Sequence, residues 1–268
     1  MTKEASSGRD ESTGPQPVAK PAFEAGIFLV DKPVGPSSFR IVQMIRRALS
    51  IKKVGHAGTL DPFASGLLII CVGRPATRLI SQFMGGDKLY EAELQLGVET
   101  DTQDPEGEII ARREIPVLDQ GQVADCLAGF VGEQLQVPPQ FSALKHNGKP
   151  LYHYARRGIK VEKAARPVII RELTLLAFTG DTLRIRVRCS KGTYIRTLAA
   201  DIGNALGCGA HLIALRRLES GCFTVAEALD GDKLFDREQA ARELLPNALS
   251  VAEALDRLAV IDEGQKRA

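Results

Sequence analysis

The chain has 268 residues, 44% of them hydrophobic and 25% charged, which is typical of a globular protein with an ample core. That length allows one large domain or two smaller ones. A net charge of only +2 excludes a strong positive field over the whole surface, and no apolar run reaches the roughly 20 residues of a membrane-spanning helix. The N-terminal residues also lack the apolar core of a secretory signal.

The charges are unevenly distributed along the chain. Residues 145–171 carry eight Lys or Arg and one Glu, a net charge of +7. Residues 219–265 carry eleven Asp or Glu and four Lys or Arg, a net charge of −7. The middle of the chain is therefore a candidate phosphate-binding surface, and the C-terminal part is not.

The cysteines do not form a recognisable framework. They are scattered, odd in number and mostly within apolar runs: Cys71, Cys126, Cys189, Cys208 and Cys222. This pattern predicts reduced thiols in a cytosolic protein. Cys208 and His211 are three residues apart but lack two further ligands nearby, so no metal site is predicted.

The first ordered elements follow a polar tail. Residues 1–22 are rich in Ser, Gly, Pro and charge and are predicted to be disordered. A short apolar strand at 26–30 leads into a Pro- and Gly-containing turn, where Lys32 either binds an anion or is simply solvated. Ser37 or Ser38 then caps a helix with one apolar face. The other face of this helix carries Arg40, Arg46 and Arg47.

The stretch 54–73 has two contrasting halves. The first is polar and glycine-rich and contains His56 and Asp61. Pro62 keeps Asp61 out of helical geometry, so a carboxylate is held on a stiff loop. The second half, 67–72, is continuously apolar and is predicted to be a strand buried on both faces. Asp61 is either a functional carboxylate or the cap of a local turn.

The next segment combines a helix, a strand and an acidic turn. A short helix is expected near 76–83, followed by a clearly alternating strand at 88–96. Tyr90 points inward on this strand, either as a core tyrosine or as an aromatic floor for a base. The acidic residues of 97–107 do not have EF-hand spacing, so a calcium loop is rejected.

The basic segment follows a predicted amphipathic helix at 120–130. Residues 137–158 mix Pro and Gly with cations and with Tyr152, His153 and Tyr154. Rings for stacking and charges for phosphates suit RNA, although a solvated basic loop is the alternative.

Strands at 168–178 and 182–189 then precede a helix that residues 190–196 open. Arg196 lies in its first turn, where the helix dipole disfavours a cation. This placement indicates a specific acidic partner for Arg196. Gly207 ends the helix, and a core strand at 209–223 and helices at 237–245 and 250–258 complete the chain.

Several of these segments together resemble the bacterial tRNA pseudouridine synthases of the TruB family, which modify uridine-55 in the T-arm of tRNA. The matching segments lie in family order between about residues 26 and 225: 32–38, 55–62, Tyr90 with 100–102, 138–156, 189–196 and 207–217. The resemblance implies an α/β (α+β) pseudouridine synthase fold, with a mixed, largely antiparallel central sheet, flanking helices and a central cleft.

The resemblance also implies roles for individual residues. Asp61 is the catalytic carboxylate, acting on the ribose or on the base, and Arg196 holds it ionised and aimed. Tyr90 stacks on the uracil and assists proton removal from C5. His56 fills the space that the flipped base leaves, or alternatively makes a structural hydrogen bond. Lys32 supports the Asp61 loop.

Further contacts follow from the same resemblance. Tyr194 packs beside the site, Leu215 forms an apolar wall, and a mobile loop at 138–163 folds over the T-arm. The cations expected to contact RNA in that loop are Lys145, Lys149, Arg156 and Arg157.

The resemblance implies a cytoplasmic enzyme, monomeric, with tRNA as its partner and with no cofactor, metal or membrane. The expected organisation is a tail at 1–22, a catalytic domain at 23–245 and a C-terminal helix at 246–268 leading to a missing or truncated PUA-type RNA-binding domain. Two alternatives remain: an RNA-binding or tRNA-folding protein, and a guide-RNA-dependent synthase.

Overall fold

A computed structural model describes residues 23–142 and 144–265, with side chains described through residue 260. Within these segments the central feature is a mixed sheet of ten strands, mostly paired antiparallel, with helices packed around it. The predicted fold class is therefore confirmed. The tail predicted at 1–22 lies outside the described residues. No helix in the described part of the chain is long and apolar enough to cross a membrane.

The strands bring distant parts of the chain side by side. In chain order they are β1 (Gly26–Lys32), β2 (Val54–Ala57), β3 (Ser65–Val72), β4 (Lys88–Leu96), β5 (Val98–Thr100), β6 (Ile109–Arg112), β7 (Gly132–Gln136), β8 (Lys145–His146), β9 (Lys149–Pro150), β10 (Arg166–Phe178), β11 (Thr182–Cys189), β12 (Ala210–Ser220), β13 (Phe223–Thr224) and β14 (Leu229–Asp230). The main sheet has the order β14-β1-β3-β12-β4-β11-β10-β7, with β2 added to β3 and β13 to β12. The pairs β1–β14 and β3–β12 are parallel.

The helices flank this sheet. They are α1 (Ser38–Leu49), α2 (Gly73–Thr77), α3 (Ile80–Phe83), α4 (Gln120–Ala128), α5 (Leu151–Ala155), α6 (Ile195–Ala205), α7 (Arg237–Leu244) and α8 (Val251–Gln265). The cap of α1 is Ser37, whose hydroxyl accepts a hydrogen bond from the backbone N–H of Arg40 at 3.2 Å.

Several sequence predictions differ from the structure in detail, and the helix expected at 250–258 extends over Val251–Gln265. The single helix expected at 76–83 is two short helices, because Leu79 leaves helical geometry with φ −101° and ψ 5°. The strand expected at 209–223 is confined to Ala210–Ser220. Gly209 and Gly221 bound it, and both have φ in the left-handed region, where glycine meets no steric penalty.

Strand β3 is buried on both faces, as predicted. Leu68 and Ile70 belong to the larger core, which extends under α1 and α6, whereas Leu67 and Ile69 belong to a second core beside α8. Because both faces of β3 are packed, the loop that precedes it is anchored at a fixed position.

Candidate active site

The loop that carries Asp61 connects β2 to β3 and is fastened by neighbouring backbone. Ser38 Oγ donates to the carbonyl of Leu60 and accepts from its N–H, both at 2.8 Å. The N–H of Gly35 donates to the carbonyl of Pro62 at 2.8 Å. At the far end Gly66 has φ 101°, and a Cβ there would collide with the backbone of β12. The loop therefore holds Asp61 between the β1–α1 turn and the centre of the sheet.

Lys32 lies beneath this loop and is fully buried. Its ammonium donates to the carbonyls of Pro33 at 2.8 Å, Pro36 at 2.9 Å and Pro62 at 3.4 Å. Burial lowers the pKa of Lys32 to about 8, and the Asp61 carboxylate opposes this shift. Lys32 therefore links the turn after β1 to the Asp61 loop through these hydrogen bonds.

Arg196, at the start of α6, lies between two carboxylates. Its Nε is 3.1 Å from Asp61 Oδ2, and its Nη1 is 3.0 Å from Asp104 Oδ2. It also donates to the carbonyls of Thr102 at 3.0 Å and Phe141 at 2.6 Å. The acidic partner predicted from its position in the helix is therefore present, and there are two of them.

The two carboxylates differ in exposure. The side chain of Asp104 is 4% exposed, whereas that of Asp61 is 34% exposed and faces open space. Burial raises the pKa of Asp61, and Arg196 opposes the rise, whereas the Asp104 charge adds to it. The site therefore holds Asp61 as a carboxylate whose affinity for a proton exceeds that of an ordinary aspartate.

Asp61 opens onto a cavity of about 500 Å³ at the centre of the sheet. Tyr90 of β4 and Leu215 of β12 form part of its wall, and Tyr194 lies at its edge. The side-chain amide of Gln136 holds Tyr194 in place through bonds to its N–H at 2.7 Å and its carbonyl at 3.0 Å. An aromatic ring, an apolar wall and a carboxylate thus surround one space of nucleoside size.

Arg217 is the most unexpected residue of this cavity. It is 2% exposed and directly opposite Tyr90 in the β4–β12 pairing. Its guanidinium donates to the carbonyls of Leu67 at 2.7 Å, Gly58 at 3.3 Å and Thr59 at 3.5 Å, and it has no carboxylate partner among the described residues. Burial raises the pKa of Tyr90, and Arg217 opposes that shift. Arg217 therefore joins β12 to the Asp61 loop and to β3, next to Tyr90.

A second cavity of about 700 Å³ shares Asp61 and Arg196 with the first. His56 lines it, and burial lowers the pKa of His56. His56 Nδ1 is buried without a hydrogen-bond partner in the described structure. Tyr152 and Arg156 close the opposite side of this cavity. The structure thus places His56 beside Asp61 and leaves its Nδ1 unpaired.

The basic segment forms a hairpin of β8 and β9 followed by α5, above the second cavity. Lys145, Lys149 and Arg157 are exposed there and do not line either cavity. Arg156 lies 5.6 Å from the centre of the Tyr152 ring. The expected mobility of 138–163 stays a prediction.

Sequence reasoning missed Asp104, Arg217 and Gln136. Asp104 is one of several acids in a polar turn, and its separation of 92 residues from Arg196 leaves no local signal of the contact. Arg217 did carry a signal, because it shares a strand face with Leu215, where a charged side chain needs a partner.

Comparison with known proteins places this geometry in one family. The description "TruB family pseudouridylate synthase (N terminal domain)" matches residues 46–195, and "tRNA pseudouridylate synthase B C-terminal domain" matches residues 196–257. A protein of Desulfotalea psychrophila named tRNA pseudouridine synthase B is 59% identical over 85% of this chain and 95% of its own length. The protein of that name from Aromatoleum aromaticum is 54% identical over 76% of this chain and 66% of its own.

Solved structures share the fold at lower identity. A Cbf5-Nop10-Gar1 complex contains a chain with 28% identity and a TM-score of 0.60, covering 81% of this chain and 59% of its own length. An archaeal box H/ACA sRNP Nop10-Cbf5 complex gives 26% identity and a TM-score of 0.59, covering 82% and 60%. This chain therefore spans about three fifths of those chains.

Proposed function

This chain belongs to the TruB family of pseudouridylate synthases, and we propose that it isomerises uridine-55 in the T-arm of tRNA to pseudouridine. It is a tRNA pseudouridine synthase, as its relatives at 49–59% identity are named. The observation that carries the proposal for the site is the contact of Asp61 with Arg196 beside a cavity walled by Tyr90 and Leu215.

The reaction is a rearrangement with no net gain or loss of atoms. The bond between N1 and C1′ breaks, the uracil rotates, and C5 bonds to C1′. The proton on C5 leaves and N1 gains one. We propose that Asp61 is the carboxylate that starts this sequence, either at the ribose or at the base, because it is the exposed member of the two carboxylates on Arg196.

The surrounding residues take distinct roles in this proposal. Tyr90 packs against the uracil and assists removal of the C5 proton, and Leu215 confines the rotating ring. Arg196 is a positioning residue for Asp61. Lys32, which lies beneath the Asp61 loop, holds that loop in place. Tyr194 lines the same cavity and packs beside the site.

The target base must leave the folded T-loop, at a cost of roughly a few kcal/mol. We propose that His56 occupies the vacated stack, which fits its place in the adjoining cavity with an unpaired Nδ1. Lys145, Lys149, Arg156 and Arg157 supply phosphate contacts from the basic segment, which closes over the T-arm.

The catalytic domain spans residues 23–245 and is followed by the C-terminal segment 246–268. Asp61, Tyr90 and Arg196 meet within one chain, so the proposed monomer needs no residue from a second copy, and a tRNA substrate supports action in the cytoplasm.

The experiment is tritium release from a T-arm hairpin labelled at C5 of uridine-55 only. Release by the protein alone, without guide RNA or partner proteins, is the expected result. Binding without release would support the RNA-folding alternative. Release only after addition of a guide RNA and its partners would support a guide-dependent enzyme. A hairpin labelled at another uridine is the matched control and should retain its tritium.

A further inference from the structure

A second basic stretch lies outside the segment that sequence analysis singled out. Residues 32–60 contain six Lys or Arg and no Asp or Glu, a net charge of +6. Lys32 is buried beneath the Asp61 loop, but the other cations lie on α1 and the turn that follows it. These are Arg40, Arg46, Arg47, Lys52 and Lys53.

Four cations of the molecule surround one shallow recess at the C-terminal end of α1. Its volume is about 460 Å³, and its lining residues are Arg46, Arg47, Ser50, Ile51, Lys52 and Arg237. Arg47 and Lys52 are exposed, and neither forms an ion pair with any described residue. Among neighbouring acids, Asp236 is occupied as the cap of α7, and Glu238 lies 4.0 Å from Arg242. The recess therefore has a local excess of positive charge.

One of these cations is only partly satisfied by the protein. Arg46 Nη2 donates to the carbonyl of Val54 at 2.7 Å, but its Nε is buried without a hydrogen-bond partner in the described structure. Its guanidinium also lies 5.7 Å from the centre of the Phe39 ring, which is 54% exposed. An exposed ring beside a guanidinium is a combination that binds nucleic acid.

The recess is connected to the catalytic centre through α1. Phe39, at the first turn of the helix, lines the second cavity together with Asp61, whereas Arg46 and Arg47 reach the recess at the other end. A 12-residue helix is roughly 18 Å long. A nucleic acid chain held at Asp61 therefore needs only a few more nucleotides to reach the recess.

We infer that the outer face of α1, from Phe39 to Lys52 with Arg237, is a second phosphate-binding surface. It contacts the RNA backbone outside the flipped nucleotide. This inference rests on the proposed function, since it takes the same tRNA as its ligand. The contact is independent of base sequence, because this face of α1 presents cations and the Phe39 ring rather than a set of directional acceptors.

The test is the salt dependence of binding to full-length tRNA. The variant Arg47→Gln/Lys52→Gln removes two exposed charges that the fold does not use. The slope of log K against log salt is negative, and each lost phosphate contact reduces its magnitude by about 1. The magnitude should therefore decrease by about 2 in this variant. The dissociation constant for tRNA at 0.1 M salt should rise by about tenfold or more. The single-turnover rate of pseudouridine formation in the bound complex should be unchanged.

The matched control is Arg112→Gln/Arg184→Gln. Both residues are exposed, neither forms an ion pair with a described residue, and neither lines the recess or the two cavities at Asp61, so the variant removes the same charge elsewhere. A slope equal to that of the wild type in the α1 variant, or an equal loss in both variants, would overturn the inference. Unchanged tRNA binding together with weaker binding of polyglutamate would assign the surface to an acidic protein instead. Pseudouridine formation by the wild type tests the proposed function separately.

Discussion

Arg196 and Asp104 form a buried ion pair, with 3.0 Å between Nη1 and Oδ2 and exposures of 5% and 4%. Asp104 is itself held by the hydroxyl of Thr102 at 2.6 Å and by the N–H of Glu106 at 3.0 Å. The Nε edge of Arg196 is thereby left to face Asp61. Asp61, the proposed catalytic carboxylate, is thus positioned by an arginine that the buried Asp104 holds in place.

Asp104→Asn should therefore weaken both fold and turnover. Removing one partner of a buried pair leaves Arg196 undercompensated, and we expect a loss of about 3 kcal/mol in the free energy of unfolding. The control is Asp101→Asn, an exposed neighbour, which should cost about 1 kcal/mol or less. Urea unfolding measures the free energy of unfolding of both variants. Equal losses would show that the Arg196–Asp104 ion pair stabilises the fold no more than the exposed Asp101 does.

The pH dependence of the rate should report the raised pKa of Asp61. Because the pKa of Asp61 is raised, the protonated and inactive form persists to higher pH than for an ordinary aspartate near 3.9. The value of kcat/KM should fall as pH is lowered through that pKa. The charge of Asp104 raises the pKa of Asp61. In the Asp104→Asn variant the fall in residual activity on acidification should therefore shift to lower pH.

Glu106 is the control for this assignment. Burial and the charges of Asp104 and Asp61 also raise the pKa of Glu106. Glu106→Gln should leave the acid limb in place if Asp61 controls it. If kcat/KM of Glu106→Gln no longer fell at low pH, the group that controls the rate would be Glu106 and not Asp61.

Tyr90→Phe separates the ring of Tyr90 from its hydroxyl. The ring should still pack against the uracil, so tRNA binding should change by less than about threefold. Without the hydroxyl beside Arg217, we expect the single-turnover rate to fall by about 100-fold or more. Tyr194→Phe is the matched control and should retain most of its rate. Full activity of Tyr90→Phe would limit Tyr90 to stacking.

Arg217→Lys tests the tie between β12 and the Asp61 loop. A lysine cannot reach the carbonyls of Leu67 and Gly58 together, so we expect a loss of about 1–3 kcal/mol in stability and a rate reduction of about tenfold or more. Arg216→Lys is the control, because Arg216 is half-exposed and pairs with Asp31. It should cost about 1 kcal/mol or less.

Local patterns were sufficient to predict most of the fold. Strand β4 alternates strictly and was predicted with its observed ends, and Leu67–Val72 was predicted as buried on both faces because it is continuously apolar. The split of 76–83 into two helices was not predicted, since nothing in its composition marks the break at Leu79.

The candidate site was less predictable, because its contacts join distant segments. The dipole argument indicated an acid for Arg196 without identifying it. Asp61 is 135 positions away, and Asp104 is separated by the whole of β10 and β11 in the chain. Lys32 was assigned to the Asp61 loop only through family resemblance, since its three carbonyl partners depend on how the loop folds back.

The central claim is that Asp61 is the catalytic carboxylate, and Asp61→Asn tests it most directly. The amide removes the charge but keeps the shape. Because burial raises the pKa of Asp61 in the folded state, ionised Asp61 contributes no stability at neutral pH, and the variant should have an equal or higher Tm. Tritium release from C5-labelled T-arm RNA should be undetectable, with the dissociation constant within about threefold of the wild type. Release at near the wild-type rate by the folded variant would contradict the account.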